Sequence, residues 1–101
     1  MELASWVGGK TEVEFKVDEL LVFVPDVVTY KDGVIDSIYE VVYSHPIDGR
    51  KLGMMQYYSY VNSTAFVVHE VSADYILKQT EKPEIIRTME TFIIDTYDSN
   101  Y

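Results

Sequence analysis

The sequence predicts an α+β fold, an antiparallel β-meander of about five to seven strands with one or two C-terminal helices packed on one face. Three observations carry this expectation. Short β-rich runs recur through residue 71, turn signals such as Asp32-Gly33 separate them, and the apolar period changes after Val71. A chain of 101 residues that is 48% hydrophobic and 25% charged reads as one globular domain over 1–101.

Gly8-Gly9 supplies the positive backbone angles of a tight hairpin, which places a first strand over residues 2–7. In residues 11–18, Val13, Phe15 and Val17 alternate with Glu12, Glu14, Lys16 and Asp18, the pattern of a half-exposed strand. Residues 20–24 are a continuous apolar run stopped by Pro25-Asp26, which suits a buried strand. Asp32-Gly33, between β-rich runs at 27–30 and 34–43, predicts a two-residue hairpin loop. His45-Pro46-Ile47-Asp48-Gly49 then reverses the chain.

Residues 52–69 contain no Asp, Glu, Lys or Arg. That length suits a membrane helix, but Gly53, Gln56, Ser59, Asn62, Ser63 and Thr64 interrupt it, and its apolar members are mostly aromatic or β-branched. It reads as two strands, 51–61 and 65–71, joined at Asn62-Ser63 and needing cover on both sides. The strands thus fill residues 2–71. Ser72 is placed to cap a helix over 73–79. After Pro83 a second helix is expected over 84–97, because Ile85, Ile86, Met89, Phe92, Ile93 and Tyr97 share one arc at helical spacing.

The residues offer little chemistry. There is no cysteine, His45 and His69 are the only histidines, and no Gly-x-Ser-x-Gly elbow is present, so no catalytic residue is assigned. Neither His45 with Asp48 nor His69 with Glu70 has the spacing of a metal site, so no metal and no cofactor is expected. Gly8-Gly9-Lys10-Thr11 lacks the upstream glycine of a phosphate loop, and Asn62-Ser63-Thr64, which matches a glycosylation acceptor, is sufficiently explained as a turn. The N-terminus lacks the basic start and apolar core of a secretory signal, which makes a cytoplasmic location the expectation.

A net charge of −9, from 17 acidic and 8 basic residues, opposes direct nucleic-acid binding and docking on anionic lipid, and leaves a partner with a basic surface. The function expected is therefore that of a non-enzymatic acidic interaction module, forming a homodimer. Its acidic contacts would be Glu12, Glu14 and Asp18 on the exposed strand with Glu84, Asp95 and Asp98 on the helix. Tyr57, Tyr58, Tyr60 and His69 would line an interface or pocket. A sharper form is a virus-type inhibitor, acting in host cytoplasm, that imitates nucleic-acid charge to block a basic groove of a host protein. Two other classes stay open: a small-molecule-binding or enzymatic α+β domain with a tyrosine-lined pocket near His69, and a structural subunit of a larger assembly.

Overall fold

The computed structural model describes residues 2–77 and 82–92. Its elements are α1 (Leu3–Val7), β1 (Phe15–Val17), β2 (Leu20–Phe23), β3 (Val27–Lys31), β4 (Val34–Val42), α2 (Gly49–Val61), β5 (Val67–Ser72), α3 (Asp74–Leu77) and β6 (Ile85–Glu90). The class is α+β as expected, but there is no single meander. One sheet has four strands in the order β3-β4-β5-β6, and β1 and β2 form a separate hairpin. β4 and β5 run parallel, so the chain crosses from one end of the sheet to the other between them, and α2 makes that crossing.

The largest correction falls on residues 51–61, expected as a strand and found as α2. Asp48 starts the helix, its carboxylate accepting a hydrogen bond from the Lys51 amide at 2.8 Å. Leu52, Met54, Met55 and Gln56 then favour helix intrinsically. The helix lacks a charged stripe because it is covered on two sides. Met55 is fully buried in a cluster with Ile38, Val68 and Phe66, and Tyr58 meets the rings of Phe15 and Phe23 from the β1–β2 hairpin at 4.9 and 5.9 Å. The run is thus a helix covered by the sheet and by the hairpin, but not fully covered as expected, since Tyr57, Tyr60 and Val61 stay exposed.

The second correction is β6, which occupies residues expected to start the 84–97 helix. Val68 pairs with Met89, His69 with Thr88 and Glu70 with Arg87, so a non-local ladder prevails over a local helical pattern in a segment rich in β-branched residues. Residues 93–97 of the expected helix lie outside the described residues. At the N-terminus, where a strand was expected over 2–7, Leu3–Val7 form α1. Gly8 ends it at φ 70°, which makes the glycine pair a helix stop and not a hairpin loop. The expected strand at 11–18 shrinks to Phe15–Val17, with Glu12 in the left-handed region at φ 58°.

The run at 20–24 is a strand over Leu20–Phe23, but not the buried strand expected: β2 lies in the two-stranded hairpin, and Leu20 and Leu21 are exposed. The turn expectations hold. β2 ends before Pro25, and Asp32-Gly33, both at positive φ, form the loop between β3 and β4. Asp18-Glu19 makes a second loop of this kind between β1 and β2. Ser72 accepts a hydrogen bond from the Asp74 amide at 3.2 Å ahead of α3, within the expected 73–79. Residues 78–79 lie outside the described residues.

The core follows from register. Val28, Ile38, Val68 and Met89 stand in one row across the four strands, on the α2 face. On the reverse face Val27 and Val71 pack against Leu3 of α1 and Tyr75 of α3. Gly9 sits where α1 turns into the sheet. A Cβ there would stand 2.5 Å from Val27 Cγ1 and 2.9 Å from the Val28 carbonyl, whereas one at Gly53 on α2 would meet nothing within 4 Å. Gly9→Ala is expected to lose about 1–3 kcal/mol of stability in urea unfolding. Gly53→Ala, by the same measurement, is expected to gain up to about 1 kcal/mol.

Candidate functional site

The two outer edges of the four-stranded sheet differ. Beside β3, the Lys10 amide donates to the Val28 carbonyl at 2.8 Å and the Lys10 carbonyl accepts from the Val28 amide at 2.9 Å, which closes that edge at its centre. Beside β6, no strand pairs among the described residues. The Thr91 amide donates inward to the Phe66 carbonyl. Because backbone direction alternates along a strand, Thr88 and Glu90 aim their amides and carbonyls outward. The next outward residue is Phe92, and Gln56 of α2 satisfies it. The Phe92 amide donates to Gln56 Oε1 at 3.1 Å, and the Gln56 side-chain amide donates back to the Phe92 carbonyl. One glutamine thereby stands in for a neighbouring strand and ends the open edge at Phe92.

This edge is apolar at both ends. Ile86 is 51% and Phe92 60% exposed. Near the start of β6, Trp6, Lys82, Pro83, Glu84 and Ile85 line an open hollow of about 540 Å³.

Next to the edge, under the start of α2, lies a row of charge in which two carboxylates are buried and the arginine is partly exposed. Glu40, Glu70 and Arg87 are register partners on β4, β5 and β6. Glu70, 1% exposed, accepts the Ile47 amide at 3.1 Å and pairs with Arg87. Glu40, 4% exposed, has the Lys51 ammonium 2.7 Å from Oε1, outside hydrogen-bond geometry. Burial raises the Glu40 carboxyl to about 7. Lys51 offsets part of this, and the charge of Asp26 adds to it. So little exposure gives a ligand no path to either carboxylate, and the row acts as a clamp between α2 and the sheet.

No family model, curated protein or solved structure matches this chain. Among the described residues, no group of three or more potential metal ligands comes together, and no helix is long and apolar enough to cross a membrane.

The residues singled out in the sequence are dispersed. His69 lies on the reverse face of the sheet, its ring centroid 4.7 Å from that of Tyr39 and its Nδ1 2.9 Å from Thr88 Oγ1. Burial lowers its pKa, against the charge of Asp36. Tyr58 is in the core on the α2 face, and Tyr57 and Tyr60 are exposed on α2, so these tyrosines and His69 share no pocket. Glu12, Glu14 and Asp18 are exposed around β1, where Lys16 lies 3.6 Å from Glu14. Glu84 precedes β6, on the far side of the sheet from the β3 edge. Asp95 and Asp98 lie outside the described residues. Sequence reasoning missed the open edge, although Ile85, Ile86 and Thr88 are β-branched neighbours that favour a strand.

The raised Glu40 value has a definite sign. The folded protein keeps a proton that the unfolded chain releases near pH 4.5, so stability from this group is greatest below that and falls as pH rises toward 7. Glu40→Gln is expected to be near neutral at pH 4.5 and stabilising by on the order of 3 kcal/mol at pH 8. Urea unfolding of both proteins at the two pH values checks this.

Proposed function

We propose that this domain is a non-enzymatic protein-interaction module that docks an extended segment of another chain along the outer edge of β6. The observation that carries this reading is the pair of outward backbone rows at Thr88 and Glu90, without a strand partner among the described residues and flanked by exposed Ile86 and Phe92. Unpaired strand edges template pairing with another chain, and proteins that do not use them normally blunt them with bulges, charge or cover. Here the β3 edge is closed at its centre by Lys10, while among the described residues the β6 edge has no strand partner over Thr88–Glu90, the irregularity of β6 lying before it at Ile86. Strand addition would supply main-chain hydrogen bonds for affinity and let exposed apolar side chains select the partner.

Extended peptides selected from a random library are expected to shift and protect the Thr88 and Glu90 amides in NMR spectra. Thr88→Pro, which removes an outward donor without removing a ladder bond to β5, is expected to weaken binding at least about tenfold. Selected peptides that map instead to α2 or to the β1–β2 hairpin count against this reading.

A finer reading rests on the hairpin. Glu12, Glu14, Asp18 and Glu19 are all exposed within one short segment in which Lys16 is the only cation. This supports a surface that imitates nucleic-acid charge toward a basic partner, as a small inhibitor would. Affinity for an isolated basic DNA-binding domain is then expected to fall steeply between low and high salt. Binding that is flat with salt is evidence against it.

A further inference from the structure

We propose that the hollow between α1, α3 and the ends of β3 and β4 is a binding site for a small organic cation, an ammonium group carried on an apolar body. The proposal does not depend on the β6 edge, which lies on the other side of the sheet.

Register builds the site. Val27 opens β3 and Val41 lies near the end of β4, so the antiparallel pairing brings both to one end of the sheet. Leu3 and Ala4 of α1 close one side and Tyr75 and Ile76 of α3 another, around an open hollow of about 330 Å³. That volume falls at the lower end of the range of small-molecule sites. The floor is apolar, since Leu3, Val27 and Val41 pack together there.

Glu2, Asp26, Tyr43 and Tyr75 border this floor. Asp26 is fixed at the rim of the sheet, where its Oδ2 accepts the Val41 amide at 2.7 Å. One such bond uses one of about four acceptor positions on a carboxylate. Burial raises the Tyr75 phenol, and Tyr43 and then Asp26 stand close enough to raise it further, so these three polar ends gather on one side of the hollow. Among the described residues neither Glu2 nor Asp26 forms an ion pair, whereas Glu14, Glu40 and Glu70 each have a basic partner.

Two carboxylates alone would select nothing, because a chain of −9 draws any cation toward its surface. Selection comes from the apolar and aromatic walls. At the mouth Tyr43 is 69% and Ile76 49% exposed, apolar surface that the monomer leaves uncovered. A tyrosine face also attracts an ammonium. An anion is repelled here, and a neutral apolar molecule strips water from the carboxylates without replacing it. An ammonium on an apolar body answers both halves of the site.

Titration with benzylamine, followed by amide shifts in NMR spectra, tests this. Shifts are expected to centre on Val27, Val41 and Ile76, with a Kd on the order of 1 mM. Benzyl alcohol, which lacks the charge, and methylamine, which lacks the apolar body, are each expected to bind at least about tenfold more weakly. Asp26→Asn keeps an acceptor for the Val41 amide, so the fold is retained while benzylamine affinity is expected to fall about tenfold. Tyr43→Leu, at an exposed position, is expected to weaken it about threefold. Benzyl alcohol or methylamine binding as tightly as benzylamine overturns the proposal, as does unchanged affinity in Asp26→Asn. If the methylamide of acetyl-lysine binds more tightly than benzylamine, the hollow serves a lysine side chain of another protein, and the proposal of a free ligand fails.

Discussion

The parallel pairing of β4 with β5 is the constraint on which the rest of the molecule depends. Parallel neighbours cannot be joined by a tight turn, so the chain must return across one face of the sheet, and in a domain this small the return is a single helix. That helix fixes the inside of the sheet as the row Val28, Ile38, Val68 and Met89 under Met55. It also brings Ile47 and Lys51 down on Glu70 and Glu40, two carboxylates made neighbours by the parallel register itself.

Buried charge here serves alignment more than stability. Glu70 is well answered by a backbone amide and by Arg87, whereas Glu40 is incompletely answered and its carboxyl is raised toward neutrality. Exchanging such pairs for apolar residues often costs nothing, so their value lies in excluding other arrangements. A one-residue slip of β5 against β4 would turn Glu70 to the reverse face, away from Arg87 and Ile47, and expose the mistake energetically.

What was legible in the sequence was local. Asp32-Gly33, the stop at Pro25 and the cap at Ser72 are decided by the backbone preferences of one or two residues, and each stands where those preferences place it. The errors lie where a distant partner decides. The uncharged run at 52–69 read as sheet because a helix normally shows a polar stripe, and nothing in the run reveals that a hairpin from residues 15–23 will cover its second side. Residues 85–90 fit a helical arc and a strand equally well in so short a window, and pairing with β5 settles the matter. The candidate site was hidden for the same reason, since Gln56 and Phe92 are 36 positions apart and Trp6 is further still from Ile85.

The helix covered on both sides bears on how the chain is assembled in time. The β1–β2 hairpin has strands of three and four residues, too short to persist alone in water, and its Phe15 and Phe23 have no other shelter than Tyr58 and its neighbours. During synthesis it emerges well before α2, and α2 in turn emerges before β5 and β6 complete the surface beneath it. The hairpin therefore gains its ring cover only after Tyr58 of α2 has been made, which sets an order of docking along the chain.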